Sequence, residues 1–422
     1  MEDGMRQDAL KTALAAIEAV LPENAVRKAI KSPAFSERLA LSGRIYLAAI
    51  GKAAWRMAKA SVDVLGPAVE RGVVLTKYGH SLGPIPGLEI IEAGHPLPDE
   101  NTLLGTAKIL EMMKGFSPED TVLFLVSGGG SALFEKPLPG VSLEELISVT
   151  GDLLASGANI VEINMIRKRL SSVKGGRFAL AAAPAHVFSV VLSDVLGDRL
   201  DSIASGPAHP DNSTVREALA IVDKYGLSLP PGVLEALRQE TPRRVPNVST
   251  IIAGSGKGLC EAAMEEIASR GYTPLLMTTT LDCEAREAGA FLAALAREIC
   301  ESGNPLKPPC ALVFGGETVV RLRGRGKGGR NQELALAAAQ GIAEMKNTVV
   351  LSVGSDGTDG PTDAAGGIVD GTTRDALATL GMNLETYLND NDSYNALEAC
   401  GSLIRTGPTG TNVNDLTILF CR

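Results

Sequence analysis

Apolar residues in this chain come in short runs separated by longer amphipathic stretches. Ile45–Ile50, Val73–Leu75, Glu89–Ile91, Thr121–Val126 and Val187–Leu192 are short, apolar and β-branched, which predicts strands. Residues 8–30 carry Leu10, Ala13, Ile17, Val20 and Leu21 at helical spacing, and Ser142-Leu143-Glu144-Glu145 is a capping box that opens another helix. Residues 238–247 are polar, hold two prolines and show no period, so they predict a linker. Beyond it a new β-α-β pattern begins with Val248–Ala253, a helix near 257–270 and Thr273–Met277, and Leu416–Phe420 reads as the last strand. Strands alternating with helices predict two α/β domains with mainly parallel sheets, residues 1–237 and 248–422.

Composition narrows the field. Charged residues make up 21% of the chain and aromatic residues 4%, which fits a soluble enzyme. The net charge is -9 without a block of like charges, so nucleic acid is not an expected partner and an anion would need a local basic pocket. No apolar stretch is long enough to span a bilayer, and the N-terminus carries acids where a signal peptide carries bases. The six cysteines form no C-x-x-C pair, which favours reduced thiols in the cytoplasm over a zinc site or disulfides.

The unusual sequences follow predicted strands, where open α/β sheets bind ligands. In the first half these are Gly51-Lys52, the run Ser127-Gly128-Gly129-Gly130-Ser131, and Ser193-Asp194. The glycine run offers a row of N–H groups that suits carboxylate or phosphate oxygens. Lys52 falls at the first turn of a helix, where it suits a phosphate. Asp194 suits either a general base toward a hydroxyl or a water-mediated magnesium contact. Lys174 and Arg177, around a glycine pair, are candidates to touch an acid. In the second half, Gly315-Gly316-Glu317-Thr318 leads through a basic stretch to Lys327-Gly328-Gly329-Arg330-Asn331, and an acidic loop carries Asp356 and Asp359. Cations among backbone amides suit a polyphosphate, and the carboxylates suit its magnesium ion. Five such loops in two domains predict a cleft lined from both sides.

Taken together, the blocks Gly51-Lys52-Ala53-Ala54, Gly94-His95-Pro96-Leu97-Pro98-Asp99, Ser127 to Ala132, Asn164 to Phe178, Ser193 to Asp198, Gly315 to Thr318, Gly328 to Glu333 and Asp356 to Gly367 run in one order. In that order they resemble the class II glycerate kinases, the glycerate 2-kinase family that ends in a MOFRL domain. The resemblance implies ATP- and magnesium-dependent phosphorylation of D-glycerate at its 2-hydroxyl, with Lys52 and Arg330 essential. Charge logic and the resemblance together suggest roles. Arg330, with Lys327 and the glycines around them, would hold ATP, and Asp356 or Asp359 would anchor Mg2+. The Ser127–Ser131 amides, with Lys174 or Arg177, would take the glycerate carboxylate. Asp194 would accept the hydroxyl proton. Arg169, Leu196 and Ala208 depart from the family pattern, and Arg169 is expected to alter acid recognition nearby. The alternatives are an NAD(P)-dependent hydroxypyruvate reductase, whose G-x-G-x-x-G fingerprint is missing, and a metabolite sensor, which would not need the acidic loop. Self-association into a homo-oligomer is compatible with all three.

Overall fold

The computed structural model describes residues 2–41 and 43–422, which form two compact units, Pro22–Ala253 and Met1–Leu21 with Gly254–Arg422. The first unit is built on β1 (Ile45–Ile50), β2 (Val69–Lys77), β3 (Leu88–Ala93), β4 (Thr121–Val126), β5 (His186–Leu192) and β6 (Val248–Gly254), in the order β3-β2-β1-β4-β5-β6. β1, β2, β3, β4 and β5 pair in parallel. Alternate residues feed two cores: Tyr46, Ala48 and Ile50 enter one, Ile45, Leu47 and Ala49 the other. A sheet buried on both faces requires such uniformly apolar strands.

The second unit holds β7 (Thr273–Leu281), β8 (Cys310–Gly316), β9 (Thr348–Gly354), β10 (Gly366–Asp370), β11 (Leu403–Ile404) and β12 (Asp415–Cys421), ordered β11-β10-β9-β12-β8-β7. Only β7 and β8 pair in parallel; β12 runs antiparallel between β8 and β9, and β10 pairs antiparallel with β9 and β11. The expectation of parallel sheets therefore describes the first unit, whereas the second sheet is mixed.

The chain boundaries also differ from the expected ones. Val248–Ala253 does not start the second unit but forms the edge strand beside β5. The helical pattern over 8–30 is two helices, Glu2–Ala19 and Pro22–Ile30, separated at a proline that suits a first helical turn. The first of them belongs to the second unit, where Met5, Ala9, Ala13, Ala16 and Ile17 pack on Leu259, Ala263, Ile418 and Phe420. Arg6 pins it to Asp370 at 2.6 Å. Periodicity identifies an amphipathic helix but not the surface that covers it.

Candidate active site

In the first sheet β1 connects onward to β2 on one side, while β4 lies on the other, so the strand order reverses between β1 and β4. Such a switch point opens a crevice beyond the carboxyl ends of the strands. Lys52 follows β1 and the Ser127–Ser131 loop follows β4, and the two are stitched together: the Lys52 amide donates to the Gly128 carbonyl at 2.9 Å, and the Ala53 amide to Ser127 Oγ at 3.0 Å. This approach explains Gly51, which has φ of 109°; a Cβ there would lie 2.3 Å from Ser127 Oγ.

Asp194, after β5, lies over the loop, since a Cβ on Gly128 would come within 2.3 Å of its Oδ2. Next to it, a Cβ on Gly129 would meet the His95 ring at 3.0 Å and Lys52 Cγ at 3.2 Å. The structure thus brings together Lys52, Gly128, Gly129 and Asp194, and adds His95, to which the sequence reading assigned no role. Burial, helped by Lys52, Lys77 and His80, holds His95 below the usual histidine range, so a neutral imidazole faces the lysine. The only signal for it was its place in the Gly94–Asp99 block.

The loop amides fall into two groups. Ser127 N donates to Ile50 O and Gly130 N to Ser127 O, whereas the amides of Gly128, Gly129 and Ser131 make no backbone–backbone hydrogen bond among the described residues. The serine hydroxyls are structural. Ser127 Oγ is buried against Ile50 O, and Ser131 Oγ shares a 2.7 Å hydrogen bond with Ser205, whose hydroxyl also donates to Asn164.

Lys174 and Arg177 do not reach this surface, which corrects their expected role. Lys174 is fully buried, paired with Glu135 at 2.9 Å and donating to the Phe134 carbonyl at 2.7 Å; burial brings its pKa down to about 8. Arg177 donates to the carbonyls of Lys168 and Ser171, at the end of helix Ile160–Leu170. Lys174 thereby holds the Phe134 carbonyl at the end of the short helix Gly130–Leu133 that continues the loop, and Arg167 holds the loop itself, donating to Ser131 O at 2.7 Å. Arg169 is also completely buried and holds Ser213, so it is a structural tie and not part of an acid pocket.

In the second unit, Arg330 opens helix Arg330–Gly341. Its Nε and Nη2 form a fork on Asp415 at 2.6 and 2.9 Å, and Nη1 meets Glu317 at 3.1 Å. The Asp415 contact raises the Arg330 pKa, while burial pushes the Asp415 carboxyl up to about 6 against that pull. Asp415 went unnoticed in the sequence because it looks like the polar start of a strand.

Several second-unit expectations are corrected here. Gly315 and Gly316 are buried residues of β8 paired with β12; a Cβ on Gly315 would strike Cys260 Sγ. Asn331 is buried, its side chain taken up by Asp359 and Ser352. Asp359 is buried too, and its carboxylate accepts the backbone amides and side-chain amides of Asn331 and Gln332, so it caps helix Arg330–Gly341. A carboxylate so occupied does not fit a magnesium ion. Asp356 fits better: half-buried, it uses Oδ1 to accept from Thr358 N. Among the described residues, no group of three or more His, Cys, Asp or Glu could hold a metal. Lys327 Nζ stacks 3.8 Å from the centre of the Tyr394 ring, and Thr318 is buried. The amides of Arg323 to Lys327 are taken by Asp390, Asn391 and Asp392. A Cβ on Gly328 would lie 2.2 Å from Ser393 Oγ, and one on Gly329 would strike Asp359.

Comparison with known proteins places these residues in a family. Residues 8–238 match the model described as Domain of unknown function (DUF4147), and 310–415 match the MOFRL family. A D-glycerate 2-kinase of Thermotoga maritima is 53% identical over 99% of this chain and 98% of its own length, and a glycerate 2-kinase of Pyrococcus horikoshii is 42% identical over 98% and 97%. A crystal structure of glycerate kinase from Thermotoga maritima superimposes with a TM-score of 0.94 at 52% identity, covering all of both chains. With more than half of its residues shared along nearly the whole length, and the same fold throughout, the chain belongs to the glycerate 2-kinase family.

Proposed function

We propose that this protein transfers the terminal phosphoryl group of ATP to the 2-hydroxyl of D-glycerate, with Mg2+, in the cytoplasm. The observation that carries the reading is the meeting of Lys52, the Gly128–Gly129 turn and Asp194 at the switch point of a parallel sheet. The glycerate carboxylate lies on the amides of Gly128, Gly129 and Ser131. Asp194 accepts the proton of the attacking hydroxyl, and Lys52 offsets charge on the moving phosphoryl group. Arg330 binds the triphosphate. Magnesium neutralises phosphate charge when bound, and Asp356 is the carboxylate that fits it. Phosphoryl transfer needs positioning and charge neutralisation more than covalent chemistry, and these residue types supply that. Six free cysteines support a reducing compartment, and no described helix is long and apolar enough to cross a membrane.

Two parallel incubations test the reading: D-glycerate with ATP and magnesium, and hydroxypyruvate with NADH. Phosphorus NMR of the first should show 2-phosphoglycerate. A 3-phosphate would overturn the regiochemistry, and turnover confined to the second would overturn the kinase.

A further inference from the structure

Arg330 has two unlike partners. Asp415 is 5% exposed and sits on β12 in the middle of the second sheet, bound to two nitrogens of the guanidinium. Glu317 has a side chain 46% exposed, makes a single 3.1 Å contact to Nη1, and is tethered otherwise by Asn414 Nδ2 at 3.3 Å. A bidentate fork on a buried carboxylate fixes both the position and the plane of a guanidinium. An exposed single contact is weak and easily exchanged.

We propose that Asp415 is the positioning residue that leaves only the Nη1 edge of Arg330 for a phosphate, and that Glu317 occupies that edge until nucleotide replaces it. Glu317 then competes with ATP and is not one of its ligands. This rests on the kinase reading, in which Arg330 is the phosphate-binding cation. A carboxylate and a phosphate oxygen accept the same hydrogen bond, and the more highly charged triphosphate displaces the single carboxylate. Asp415 keeps its fork throughout, since removing it would leave a buried carboxylate unpaired. Asp356 lies close by: the point where a Gly354 Cβ would sit is 3.3 Å from Asp356 Oδ1 and 3.5 Å from Asp415 Oδ1. The carboxylates acting on Arg330 are Asp415, Glu317 and Asp359, and giving up Glu317 is the least costly change, because Asp415 and Asp359 are buried and Glu317 is exposed.

Two measurements on the full chain test this. Calorimetry with ATP alone, then with inorganic triphosphate, should show Glu317→Gln binding roughly two- to fivefold more tightly than wild type. Unchanged or weaker binding would overturn the competition. In steady-state kinetics, Asp415→Asn should lower kcat/KM by up to roughly 10²-fold, as misplaced catalytic geometry does. The same change in an Arg330→Ala background should cost less than about twofold, because Asp415 then has nothing to position. Equal losses in both backgrounds would show that Asp415 is merely structural. Glu317→Gln alters an exposed side chain, so the binding arm stands even if the other variants fail to fold. A wild-type protein that binds ATP but does not phosphorylate glycerate would sink the kinase reading and leave the exchange at Arg330 to be judged by calorimetry.

Discussion

The two glycine-rich loops look alike in sequence and are built in opposite ways. In the Ser127–Ser131 loop, Arg167 and Ser205 hold Ser131 from behind, Lys174 holds the Phe134 carbonyl at the end of the short helix that continues the loop, and three loop amides stay out of the backbone hydrogen bonding. In the Arg323–Lys327 stretch the amides are consumed by Asp390, Asn391 and Asp392, and the side chains face outward. One loop presents backbone, the other presents cations. Glycine serves the first by permitting a left-handed turn at Gly129, with φ of 84°, and the second by letting two segments touch.

The strongest way to break this contrast is to remove the support of the first loop. Lys174→Met leaves Glu135 buried and unpaired, so chemical denaturation should show a loss of roughly 3–5 kcal/mol. If the loss is under 1 kcal/mol, the pair is not what holds the loop. Next comes chemistry. Lys52→Ala and Asp194→Asn should each lower kcat by roughly 10²–10³ with an unchanged melting temperature, read in a coupled assay. Near-wild-type turnover in both would remove the first loop from the active site.

The glycines separate the two designs more finely. Gly129→Ala places a Cβ in left-handed backbone, costing about 1–2 kcal/mol, and should also raise KM for glycerate. Gly328→Ala meets Ser393 and should cost roughly 1–3 kcal/mol with KM for glycerate unmoved. Equal effects on KM would erase the distinction.

Smallest is a pH effect. Lys174 has its folded pKa lowered from 10.5 to about 8, so the unfolded chain holds more protons between those values. Stability should therefore rise with pH from about 8 to 10.5, relative to Lys174→Met. Denaturant midpoints falling over that window would contradict the buried charged lysine.

Strand positions and the loops after them were legible because parallel strands buried on both faces must be uniformly apolar, and breaks in that pattern stand out. Lys52, the Gly128–Gly129 turn and Asp194 were legible for the same reason: each directly follows such a strand. Lys174, Arg177, Asn331 and Asp359 were not, because a polar residue beside glycine looks the same whether it meets a ligand or caps a buried helix end. Asp415 and His95 were missed because their partners, Arg330 and Lys52, lie 85 and 43 positions away in the chain.

By itself, the sequence determined the α/β class, the catalytic candidates at strand ends and the family, since these depend on local periodicity and on motif order. Only the tertiary structure decided that the first helix belongs to the second unit, that the second sheet is mixed, and which charges are spent on the protein's own backbone. Those outcomes depend on which distant surfaces and donors meet. A local pattern of hydrophobic and polar residues carries no record of such pairings.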